Sequence, residues 1–355
     1  MDVEKTGFRF NYEPLTIFSA DQWRYGREPV LRSMPDGSLI CWVYSGGPRE
    51  PHNSNVVLIT HSQDRGETWT PPELLFSHEA RGVWGTEIFT EGSVPLGFVH
   101  TLDAASHYLE LRTAITYTYD NGVTWTEPVA PHGVPANISV RQGIVLSDGT
   151  WVFPVYWQEC NEGWNWDSSA TRGSSATARS WPFCCGCIRS ADAGSTFSLH
   201  GYVAGDGISL WEPNIVETGS GLLMLLRAQG TGVLYRSVSR DGGLTWSESE
   251  PSDIPDPGAK LTLLKHGERV LLLHNPTDCQ VGRKCIELWV SDDQGETWPT
   301  RLPLVEATAH STKEYGRRRI CYPHAFLAHE EELLYVAVDA KTHHFLLKIP
   351  YDDFS

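Results

Sequence analysis

The chain has 355 residues, 40% hydrophobic and 20% charged, an ordinary globular composition with enough apolar material for a large core. A formal net charge of -16 at pH 7 repels nucleic acid and anionic membrane surfaces, so an anionic ligand needs a local cluster of arginine or lysine. No apolar run reaches the roughly 18 residues of a membrane helix.

The N-terminal "MDVEKTGFRFNYEPL" has no basic stretch followed by an apolar one. A cytoplasmic protein, or a secreted one given without its leader, fits that reading. Within it, "GFRFNY" (residues 7–12) predicts a strand. Next, "REPVLRSMPDGSL" from Arg27 reads as two strands around a Gly-containing tight turn. The same unit returns as "VRQGIVLSDGTW" from Val140 and "WEPNIVETGSGLL" from Trp211. A second unit follows an apolar alternating run each time: "SQDRGETW" (Ser62), "TYDNGVTW" (Thr118), "SADAGSTF" (Ser190), "SRDGGLTW" (Ser239) and "SDDQGETW" (Ser291). In these boxes Asp suits backbone amides in a turn and Gly supplies a positive φ. Their aspartates, Asp64, Asp120, Asp192, Asp241 and Asp293, are predicted to be turn staples.

Each repeat spans roughly 50 to 70 residues, the length of a four-stranded antiparallel sheet, and such sheets arranged radially form a β-propeller. The expectation is therefore all-β: a six-bladed β-propeller of four-stranded antiparallel blades with five Asp-boxes, one domain over residues 1–355. "CYPHAFLAHEEELLYVAVDAKTHHFLLKI" reads as a sixth blade without a box, and "GFRFNY" is expected to pair with it and close the ring. The eight cysteines, "CCGC" included, show only half of a zinc pattern, so no metal and no cofactor are expected and the thiols are read chiefly as buried or reduced. A Ser/Gly-rich insertion, roughly 159–182, carries Trp164 and Trp166 and suits a specificity loop.

These repeats resemble the Asp-boxes of the sialidase (neuraminidase) superfamily, over nearly the whole chain. The resemblance implies three arginines that clamp a substrate carboxylate. "GREPVLRSMPDGSL" offers Arg27, with Glu28 where the family has an aliphatic residue; "WEPNIVETGSGLLMLLR" offers Glu212 and Arg227; "HNPTDCQVGRKCIELWVSDDQGETWP" offers Arg283. The family's nucleophilic tyrosine matches Tyr322 in "CYPHAF", with Glu212 as its base. The acid/base aspartate expected around residues 48–55 is missing from "PREPHNSN", whose candidates are His52 and Glu50, His52 preferred because an unperturbed imidazole titrates near neutrality.

Aligning the repeats on their turn glycines puts Arg27, Glu28, Arg141, Trp211, Glu212 and Tyr322 at one end of the channel-lining strands. His324 joins this set as a further binding candidate. The implied partner is an acidic oligosaccharide or glycan, with sialic acid or a uronic acid as the terminal sugar. Three readings follow: a sialidase-like hydrolase; a propeller polysaccharide lyase or uronate-directed glycosidase using His and Tyr; a non-catalytic glycan-binding propeller.

Overall fold

A computed structural model describes residues 7–20, 23–106, 110–158, 182–308, 320–340 and 342–354. Among the described residues, twenty-five strands form six antiparallel sheets. The N-terminal strands β1 (Phe8–Phe10) and β2 (Leu15–Ser19) precede the first blade. Blade one is β3 (Gly26–Ser33), β4 (Leu39–Ser45), β5 (Val56–Ser62) and β6 (Glu73–Phe76). Blade two is β7 (Gly82–Phe89), β8 (Leu96–Leu102) and β9 (Leu111–Tyr117), with one further bridge from Ile115 to Val129. Blade three has a broken inner strand, β10 (Ser139–Val140) and β11 (Ile144–Val145), then β12 (Trp151–Gln158), β13 (Phe183–Ser190) and β14 (Ser198–Val203). Blade four is β15 (Leu210–Thr218), β16 (Gly221–Ala228), β17 (Val233–Ser239) and β18 (Glu250–Pro255). Blade five is β19 (Thr262–His266), β20 (Arg269–His274), β21 (Cys285–Ser291) and β22 (Thr300–Ala307); blade six is β23 (Cys321–Ala328), β24 (Leu333–Asp339) and β25 (His343–Pro350). The protein is a six-bladed β-propeller.

Closure differs from the sequence expectation. The Phe8–Phe10 strand pairs with β22 of blade five, Phe8 opposite Ala307, and Leu15–Ser19 completes blade six against β25. The N-terminus thus supplies the outer strand of two neighbouring blades. The physical reason is burial: Phe8 packs into the core shared by blades five and six, and Phe10 stacks edge-on against Phe345 at 5.0 Å.

The blades pack through aromatic and aliphatic side chains. Trp42 of blade one lies against blade two, where a Cβ on Gly97 would come within 2.2 Å of the indole. That position has to be glycine for the two sheets to meet. Every box forms the same turn. In the first, Asp64 Oδ1 accepts from the Ser62 hydroxyl (2.8 Å) and the Thr68 amide (2.9 Å), Oδ2 accepts from the Thr68 hydroxyl (2.6 Å), and the Trp69 indole donates to the Gly66 carbonyl (3.1 Å). Asp120, Asp192, Asp241 and Asp293 accept the corresponding bonds, so the aspartates act as turn staples. Among the described residues no helix is long and apolar enough to cross a membrane, and no group of three or more His, Cys, Asp or Glu is arranged to hold a metal. The seven described cysteines are free thiols.

Candidate active site

Three inner strands begin with the same irregularity. Their ladders slip between Arg27 and Val30, between Trp211 and Asn214, and between Cys321 and His324. Each slip holds a proline (Pro29, Pro213, Pro323), which has no N–H to give to a ladder and belongs in a bulge. The residue before each proline is left-handed: Glu28 at φ 45°, Glu212 at 45° and Tyr322 at 53°. Left-handed backbone costs a non-glycine residue roughly 1 kcal/mol or more and marks sites held in place by their surroundings. The bulge re-aims the side chain, and here it brings three polar ones to one mouth of the channel. In blade three the gap between β10 and β11 does the same for Arg141.

The charges at this mouth interlock. Glu212 accepts from Arg227 Nη1 at 2.9 Å and lies 3.7 Å from Arg141 Nη2, which is also 3.4 Å from Glu28. The Tyr322 hydroxyl oxygen receives Arg227 Nη1 at 3.4 Å and Arg283 Nη2 at 3.3 Å. Arg283 lies over the Tyr322 ring at 4.6 Å and Arg27 at 5.4 Å. Arg27 itself donates to Asp339 at 2.7 Å and pairs with Glu50 at 3.3 Å. Trp211 lies under Arg227 at 5.4 Å and against Phe183 at 4.3 Å. Arg27, Arg227, Arg283, Arg141, Glu212, Tyr322 and Trp211 therefore form one cluster, contributed by blades one, three, four, five and six.

Burial and charge oppose each other here. Burial alone would raise Glu212, but Arg227 and Arg141 outweigh it and hold the carboxyl at about 2. Burial raises Glu28 against the pull of Arg141, with the neighbouring charge of Glu212 adding to the rise. Burial also raises the Tyr322 phenol, and Arg283 and Arg227 act against it. Opposite shifts on neighbouring titratable groups are the mark of an acid–base site.

The structure separates the two loop candidates. Asn55 Nδ2 and the Tyr25 hydroxyl donate to the Gly46 and Arg49 carbonyls and pin the loop. Glu50 then reaches Arg27, whereas the His52 ring turns back on its own loop, where Nδ1 accepts from the Ser54 amide at 3.1 Å. His324 lies deeper. It accepts from the Leu31 amide (3.2 Å) and meets Arg32 (3.1 Å), which pairs with Glu87 at 2.9 Å. This buried layer of Arg32, Glu87 and His324 floors the site. On its far side, at the opposite mouth, a cavity of about 600 Å³ opens, lined by Arg32, Gln142, Lys265, Phe326 and His329 among others. It holds none of the Glu–Arg–Tyr cluster, so chemistry rather than size locates the candidate active site. Trp164 and Trp166 fall outside the described residues.

Asp339 and Lys260 were missed by sequence reasoning. Asp339 ends a middle strand, β24, and only the ring's closure brings it to Arg27. Lys260 precedes β19 in blade five, which, like blade two, carries a box but no recognisable hairpin signature upstream.

The family model for the BNR repeat-like domain matches residues 98–336, and the chain belongs to that family, within the sialidase superfamily of BNR propellers. It is 25% identical over 272 residues to a sialidase of Clostridium perfringens, covering 67% of this chain and 66% of that protein. It is 25% identical over 304 residues to a sialidase of Bacteroides fragilis, covering 72% of this chain and 51% of that one. The chain thus spans between half and two thirds of these relatives' length. Among solved structures, a Hadza microbial sialidase superposes with a TM-score of 0.72 at 18% identity, over 94% of this chain and 67% of that one.

Proposed function

We propose that the chain is a sialidase-like glycosidase that releases a terminal acidic sugar from a glycan. The observation that carries this is the Tyr322 hydroxyl held between two guanidiniums, Arg227 and Arg283, with the ionised Glu212 on the other side of Arg227. Similarity to proteins named as sialidases supports the same reading.

The sugar carboxylate takes charge-assisted bonds from Arg27, Arg227 and Arg283. In the unliganded site Arg227 Nη1 stands between Glu212 and Tyr322, and no hydrogen bond joins that pair directly. A substrate carboxylate competes with Glu212 for Arg227. Once Arg227 turns to the substrate, the Glu212 carboxylate is free to take the phenolic proton as the Tyr322 oxygen attacks the anomeric carbon. Arg27 turns from Glu50 to the substrate carboxylate, and Glu50, which takes up a proton from solvent as that ion pair breaks, gives it to the departing glycosidic oxygen. Water then attacks the tyrosyl–sugar bond, Glu50 takes a proton from it, and Glu212 returns the proton to Tyr322 as the sugar leaves. A tyrosine nucleophile suits an anionic anomeric centre, which repels a carboxylate.

The floor layer counts against a β-elimination through His324, since that ring is engaged by Arg32 and the Leu31 amide below the mouth. The test is a panel of sialosides and uronic-acid oligosaccharides, followed both for released sugar and for the ultraviolet absorbance of an unsaturated uronate. Released acidic sugar is expected. An unsaturated product would replace the hydrolase with a lyase, and binding without turnover would leave a glycan-binding propeller.

A further inference from the structure

The mechanism above leaves two cations of the mouth unused, Arg141, which is paired with Glu28 and Glu212, and Lys260. Lys260 sits just before β19, on the inner strand path of blade five, and is only 6% exposed. Among the described residues its ammonium makes no hydrogen bond and no ion pair; its one close partner is the face of the Tyr322 ring, 5.9 Å from Nζ to the centroid. It is a buried cation with no acceptor of its own beside the ring of the proposed nucleophile.

The groups facing it come from every element around the mouth. Glu28 and Cys41 face it from blade one, Glu87 from blade two, Arg141 from blade three, Glu212 from blade four, and Tyr322 and His324 from blade six. A buried ammonium without an acceptor is costly, and lysine is the cation that can answer by giving up its proton. Burial pushes Lys260 down to about 8, Arg141 adds to the fall, and Glu28, Glu212 and Glu87 oppose it.

We propose that Lys260 is a ligand-contacting residue of this site, its ammonium donating to an oxygen of the bound acidic sugar as a fourth cationic contact beside the three arginines. The proposal rests on the acidic-sugar reading above. It has a thermodynamic consequence. An acceptor and a negative charge brought to Nζ favour its protonated form, so binding near pH 8 takes up a fraction of a proton, and affinity falls as the pH rises above that value.

The experiment is calorimetric titration of the full chain with N-acetylneuraminic acid and with glucuronic acid, at a pH of about 8, in buffers of different ionisation heat. Proton uptake is expected for the wild type and none for Lys260→Met or Lys260→Arg. Lys260→Met should weaken binding about tenfold or more, the scale of a hydrogen bond from a charged donor, while Lys260→Arg keeps most of the affinity. Unchanged affinity and unchanged proton uptake in Lys260→Met overturn this proposal alone. Failure of both sugars to bind the wild type overturns the acidic-sugar reading and this proposal with it. A second arm needs no variant: acetylation of the unliganded protein against pH, read on the peptide that carries Lys260. Labelling with a midpoint near 8, slowed by the sugar, is expected. A Lys260 that stays unlabelled up to about pH 10 is sealed from any ligand, which also overturns the proposal.

Discussion

The chain carries two repeated sets of left-handed residues, and they behave in opposite ways. One set lies in the box turns, where Arg65, Asn121, Ala193 and Gln294 precede the box glycine at φ between 53° and 65°. The other is Glu28, Glu212 and Tyr322 at the channel mouth. The box residues stand at the surface, and their side chains are unrelated in chemistry. Their turns close within eight residues on a Ser or Thr, an Asp and a Thr, so chemically unrelated residues occupy the left-handed position. The mouth residues are buried, all polar, and satisfied by partners far away in sequence: Arg141 lies 113 residues from Glu28, and Arg227 lies 95 residues from Tyr322. A repeated strained position that stabilises itself locally is scaffold. One that depends on the assembled ring to hold buried charge is a site.

Substitutions sharpen or break that contrast. The largest effect belongs to Tyr322→Phe, which should lower turnover of an acidic glycoside by roughly a thousandfold or more while leaving sugar binding within a few-fold. Full turnover in this variant would remove the nucleophile from the mouth set. Glu50→Gln comes next, with turnover on a natural glycoside reduced about 100-fold and largely restored by a nitrophenyl leaving group, which departs without a proton. His52→Ala should change either substrate little, because its ring faces its own loop. The reverse pattern between these two variants would return the proton donor to His52.

Arg283→Lys keeps the charge but loses one of the forked donors shared between Tyr322 and the Gly258 carbonyl. KM should rise about tenfold or more, with kcat less affected, as steady-state kinetics would show. The pH dependence of stability tests the buried charge of the mouth set directly. Glu212 is held at about 2 in the folded protein, below its ordinary value of 4.5. Its contribution is therefore present above 4.5 and lost as the pH falls toward 2. The melting-temperature gap between wild type and Glu212→Gln, measured at neutral pH, should shrink across that window. Asp241→Ala has the smallest effect. It should cost about 1 kcal/mol, the scale of lost turn hydrogen bonds, and lower the melting temperature while folded protein binds sugar as before. Loss of binding in folded Asp241→Ala protein would dissolve the distinction between scaffold and site.

Whatever depends on neighbours in the chain is legible before folding. Five boxes and three hairpins announce the blades because turn chemistry and strand alternation are local. For the same reason Glu28, Glu212 and Tyr322 are legible as equivalent positions before any ring is drawn. The turn-glycine register also sets Arg27 and Arg141 beside those positions, whereas Arg227 and Arg283 are legible only through the resemblance to the sialidase superfamily. Tertiary structure alone decided which side chains meet across the axis. It gave Phe8–Phe10 to blade five, because an outer strand goes where its phenylalanines find core. It turned Glu50 toward Arg27 and His52 away, because side-chain bonds from Tyr25 and Asn55 shape a loop whose sequence has no period. It placed Asp339 and Lys260 at the mouth and His324 in the floor, because ring closure brings together strands separated by hundreds of residues, and no spacing along the chain encodes that distance.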